Sequence, residues 1–230
     1  MPHALRPSWR PLTGCLASLL AAACGAAEND TTPAADTTPA QITAVARGPI
    51  LPEVVVGTLR LVGPALHLLP CGSSDSGNTL EDGTGGDATG VVQELGPDGV
   101  TAIVTLSGNQ ITSLQYAAPE GPGCETLPPD SELEARGQEP FWFVSVSGSV
   151  ATVRTPEEPD GVAYAAGHWS MADSVHWRYE ARSGAAPLVL ELTRERCADG
   201  MSGARYPLKA TLTRDGVSMS GCALPGRGAP

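Results

Sequence analysis

The chain has 230 residues, with 14 basic against 25 acidic side chains and a formal net charge of −11. So acidic a surface repels phosphate backbones and anionic headgroups, which argues against nucleic acid as a partner. Lys209 is the only lysine, so lysine chemistry such as Schiff-base formation has a single candidate.

The first element is a leader. Arg6 and Arg10 form a short basic start, residues 12–23 form an apolar stretch rich in small side chains, and Leu20-Ala21-Ala22-Ala23-Cys24 ends it. This is the layout of a secretory signal peptide. A cysteine where the cleavage residue belongs resembles the lipobox of bacterial lipoproteins and implies a lipid on Cys24. Cys15, after Leu12-Thr13-Gly14, is closer to the usual letters, but Arg6, Pro7, Arg10 and Pro11 break the apolar run it would need. The apolar stretch is too short to span a bilayer, which takes roughly 20 residues. Gly25 rather than Asp after the lipidated cysteine points to the outer membrane, with the body facing the periplasm. Removing residues 1–23 leaves 12 basic and 25 acidic residues, a net charge of 12 − 25 = −13.

Residues 24–47 are rich in Ala, Thr and Pro and lack any hydrophobic period, so they cannot bury a core. They are expected to tether the body at a reach of about 25 Å. A first β domain, small and OB-like, is expected over 48–127. Its predicted strands are 54–62, 65–69, 91–95, 100–107 and 111–116, separated by Gly- and Pro-containing turns. Gly83-Thr84-Gly85-Gly86-Asp87-Ala88 has the outline of a nucleotide loop. Its neighbours Glu81, Asp82 and Asp87 would repel phosphate, so it is read as a surface loop that opens no helix.

The Pro/Gly-rich passage 121–131 separates a second β domain, 131–225. Here the alternation is strict: Trp177, Tyr179 and Ala181, then Leu188, Leu190 and Leu192, then Leu208, Ala210 and Leu212 occupy every second position. Such a period of two puts one face in the core and one in water. Earlier strands are predicted at 141–146 and 150–154. Asp215-Gly216 predicts a hairpin turn into 217–221. The fold class expected is all-β, two small antiparallel barrels or sandwiches behind a leader and tether.

Ala135-Arg136-Gly137-Gln138-Glu139-Pro140-Phe141-Trp142 resembles the opening of a family of uncharacterised bacterial envelope proteins and lipoproteins. Cys197-Ala198-Asp199-Gly200-Met201-Ser202, Tyr206-Pro207 and Gly221-Cys222-Ala223 resemble its closing motif. Pro70-Cys71-Gly72 gives the first domain a weaker resemblance to the small barrel of copper-stress lipoproteins. These resemblances imply β-barrels outside the cytoplasm, in company with META-type domains. They imply no reaction.

Four cysteines follow the leader, and in an exported chain an even number favours disulfides. Of three possible pairings, Cys71–Cys124 and Cys197–Cys222 each close within one domain, and are worth roughly 4 and 3.5 kcal/mol by chain entropy. The best metal candidates are His168, Met171, Asp173 and His176, whose donors would suit copper or zinc. His176 is expected on the wet face and Met171 in a loop, so a structural role is the stronger expectation. Eight aromatic residues fall in the second domain. They either fill a barrel or line a ligand cavity near Trp142 and Trp177, and filling is the commoner outcome. With no G-x-S-x-G, H-E-x-x-H or P-loop present, no catalytic residue or cofactor is expected. The reading is a non-enzymatic envelope lipoprotein that binds a protein or small apolar ligand, with metal handling or an unrecognised hydrolase as alternatives.

Overall fold

Strand-forming runs organise almost all of the computed structural model, which describes residues 46–74 and 76–228. Cys24 and the leader lie outside the described residues. The described residues belong to one compact unit.

Five strands build the first barrel: β1 (Val55–Val62), β2 (Ala65–Pro70), β3 (Asn78–Asp82), β4 (Val100–Ser107) and β5 (Gln110–Ala118). They pair in the order β5-β3-β2-β1-β4, and a β4–β5 pairing closes the ring. All pairs are antiparallel except β3–β5. Leu59, Leu66, Leu68, Val104 and Ile111 fill the interior.

The one α-helix among the described residues, α1 (Asp87–Leu95), corrects two expectations. Residues 91–95 form its second half rather than a strand, and the glycine-rich loop does open a helix. β-branched Val91 and Val92 suggested a strand. The signals that outweigh them are terminal. Gly85 and Gly86 take positive φ, the Thr84 hydroxyl accepts from the Ala88 amide at 2.9 Å, and Asp87 places a negative charge in the first turn, as the helix dipole prefers. Ala88, Val91 and Val92 then bury into the first barrel's core. Asp82 anchors this corner. Its carboxylate accepts from the amides of Thr84 at 2.9 Å and Thr89 at 2.8 Å and from both hydroxyls. Partial burial alone would raise its pKa, but these bonds outweigh that and lower it from 3.8 to about 2. A depressed carboxylate pKa contributes stability above its unfolded value that is lost as pH falls through the folded one. Asp82→Asn, which turns one acceptor into a donor facing a donor, should cost about 1 kcal/mol at pH 7 for this part-exposed group. It should also flatten the loss of stability between about pH 4 and pH 2, measured by urea unfolding.

Eight strands form the second, closed barrel: β6 (Leu133–Gln138), β7 (Phe141–Ser147), β8 (Val150–Thr155), β9 (Glu158–Met171), β10 (His176–Ser183), β11 (Ala186–Thr193), β14 (Leu208–Arg214) and β15 (Val217–Pro225). They run in the circular order β10-β11-β14-β15-β6-β7-β8-β9. The alternating residues of β10, β11 and β14 are buried as their period requires. Asp215 and Gly216 both take positive φ at the β14–β15 turn, as a tight hairpin of this kind demands.

Between β11 and β14 the chain leaves the barrel to form a ribbon, β12 (Cys197–Ala198) and β13 (Arg205–Tyr206). β13 pairs with β5 of the first barrel, Arg205 opposite Ala117. A third core cluster forms at this seam, including Ile103, Tyr116, Leu127, Tyr206, Cys222 and Leu224. β4 is therefore buried on both faces, with Ala102 and Val104 in the first barrel's core and Ile103 in the seam. The disulfides are Cys71–Cys124 and Cys197–Cys222, the second tying the ribbon to β15.

Candidate functional site

Five of the eight aromatic residues of the second domain fill its barrel, while Phe141 is exposed and Tyr206 lies in the seam. Trp142, Tyr164, Trp169, Trp177 and Tyr179 all belong to one buried cluster with Leu188, Leu190 and Leu192. Trp142 has 0% of its surface exposed and Trp177 5%. The two indoles do not share an end of the barrel, as a common pocket would need. Each opens its strand, and β7 and β10 run in opposite senses in this up-and-down order.

The motif glycines have a packing reason. A Cβ on Gly137 would lie 2.2 Å from Nε1 of Trp142, and one on Gly221 would lie 2.7 Å from the same indole. Both glycines thus make the slot that Trp142 fills. The other motif residues hold the ribbon. Asp199, only 7% exposed, accepts from Gln138 Nε2 at 3.0 Å and from the Met201 amide at 2.9 Å. Burial would raise its pKa, but these bonds and those from Ser202 win and lower it. The Tyr206 ring meets Tyr116 edge-on at 5.2 Å, and burial pushes both phenol pKa values up.

His168, Met171, Asp173 and His176 do not converge. β9 extends to Met171, which therefore ends a strand rather than lying in a loop. His168 stands opposite Glu180, four residues along β10 from His176, or about 13 Å at the usual strand rise. Met171 is in register with Trp177 and, exposed at the end of β9, lines the same outer groove as His176. Only Asp173 and His176 meet: the carboxylate takes Nδ1 at 2.8 Å and the amides of Val175 and His176. The His176 bond, with those amides, lowers the Asp173 pKa. Among the described residues no three His, Cys, Asp or Glu side chains group as metal ligands do.

Two surface depressions stand out among the described residues. A groove of about 520 Å³ on the outer face of β10, β11 and β14 is lined by His176, Arg178, Glu191 and Lys209. Its cations are already neutralised, Arg178 by Glu191 at 2.6 Å and Glu180 at 2.8 Å, and Lys209 by Glu195. The second, about 590 Å³, lies at the junction of the barrels. Its apolar wall is the segment Pro49-Ile50-Leu51-Pro52 with Leu114 and Leu208, and its polar groups are Ser113, Gln115, Arg194 and Arg196. Sequence reasoning missed this cleft, because its lining comes from stretches far apart in the chain, with no local pattern.

No protein-family model matches the chain, and neither a curated protein nor a solved structure matches it.

Proposed function

We propose that this chain is an exported, lipid-anchored binding protein of the bacterial envelope that recognises its ligand on the body's outer surface and catalyses no reaction. The observation that carries this reading is the junction cleft. Both barrel interiors are occupied by the protein's own side chains, whereas the cleft combines about 590 Å³ with an apolar wall and a few convergent polar groups, the usual make-up of a ligand site. Two disulfides agree with an oxidising compartment. The leader, the tether and the resemblance to envelope lipoproteins supply the address, the outer membrane facing the periplasm. Membrane contact then comes from the lipid on Cys24, since the acidic body would be repelled by anionic headgroups.

Intact mass of the membrane-extracted protein should fit residues 24–230 carrying diacylglyceryl and acyl groups. Cys24→Ala should move the protein from the membrane to the soluble fraction. An unmodified N-terminus at another residue would refute the anchor.

A further inference from the structure

We infer that the junction cleft takes an amphipathic carboxylate, a single apolar chain ending in one anionic group that Arg194 receives. The inference rests on the binding role proposed above and names its ligand class. Its first support is charge. The protein carries 25 acidic residues against 14 basic ones, and its other cleft-lining cations are engaged: Arg196 with Asp87, and in the outer groove Arg178 and Lys209 with glutamates. Arg194 alone among these has no carboxylate within ion-pair distance among the described residues. Its guanidinium lies over the Trp177 ring, 5.2 Å from the centroid, which leaves its N–H fork open to a carboxylate.

The second support is the opposite wall. Ile50 is 65% exposed and belongs to the Pro49–Pro52 segment lining the same cleft. A large aliphatic side chain left in water in the same cleft as an unneutralised guanidinium suits a ligand with both kinds of surface. Prolines at both ends of that segment restrict its backbone, so the wall is set before the ligand arrives. The volume falls within the range of small-molecule sites, which favours one small chain as the occupant.

The test titrates the complete exported chain, carrying Cys24→Ala so that no detergent is needed, with decanoate and with decanol by calorimetry. Tryptophan emission is followed in parallel, since Arg194 contacts Trp177. Decanoate should bind saturably at one site, and decanol at least tenfold more weakly. Arg194→Gln should weaken decanoate at least tenfold, and so should Ile50→Asp. Arg60→Gln, on the outer face of the first barrel, should leave binding unchanged. Thermal unfolding should match the parent for every variant, because these side chains are exposed. Equal binding of decanol, no saturable decanoate binding, or an unchanged constant in Arg194→Gln with an intact fold would each overturn the inference. An envelope ligand that co-purifies equally with the parent and Arg194→Gln would remove this ligand class while leaving the binding role standing.

Discussion

Replacing Trp142 by alanine should cost about 3–5 kcal/mol of stability, the usual penalty for emptying a fully buried aromatic site. The slot cannot close easily. Its walls are backbone, at Gly137 and Gly221, and a Cβ on Gly221 would stand 2.1 Å from the Arg136 carbonyl oxygen. The two strands are therefore already as near as the ladder permits. Trp142→Phe provides the sharper comparison. The indole Nε1 is buried without an acceptor among the described residues, so removing that donor should recover part of the lost packing, leaving a cost of about 1–2 kcal/mol. Gly137→Ala should be as damaging as Trp142→Ala, because its Cβ would meet the indole. Urea unfolding of the three variants checks this. A Trp142→Ala cost below about 1 kcal/mol would mean that the barrel is not filled as described.

Removing the Cys197–Cys222 bond should destabilise the protein by about 3.5 kcal/mol for a loop of 25 residues, on the chain-entropy model. Its consequences should also reach further than its length suggests. The ribbon it holds supplies Tyr206 and Cys197 to the seam, and Cys222 itself belongs to that cluster. Paired Cys197→Ser and Cys222→Ser substitutions should therefore loosen the first barrel's β5 edge, where Arg205 pairs with Ala117. Hydrogen exchange of the 113–118 amides reports this directly: protection should fall there as well as in β12, β13 and β15. In contrast, Cys71–Cys124 spans 53 residues and ties β2 to the turn after β5. Its loss should cost about 4 kcal/mol without affecting exchange in β14 or β15.

Much of the second barrel was legible because its strands obey a period of two without interruption, as in Trp177-Tyr179-Ala181 and Leu208-Ala210-Leu212. The disulfide pairing was legible because each bond closes within one of the two expected domains. β9 was not seen, because Gly161, Gly167 and three alanines blur its alternation and its length spans two partners. α1 was missed because its decisive contacts, from Asp82 and Thr84, precede the segment that looked like a strand. The four metal candidates, close in sequence, are spread over β9, the turn that follows it and β10, and His168 stands about 13 Å along β10 from His176. The junction cleft had no sequence signal at all. Arg194 acquires meaning only once β11, the 49–52 segment and β5 are side by side.

The claim that the protein works from its outer surface at the junction is tested most directly by photo-crosslinking in intact cells. A photoreactive residue is placed either at Gln115, on the cleft wall, or at Asp160, exposed on β9 and outside the cleft. The account expects a discrete adduct from position 115, lost in the Arg194→Gln background, and none from position 160. An adduct from position 160 alone, or one from position 115 that is indifferent to Arg194, would contradict it.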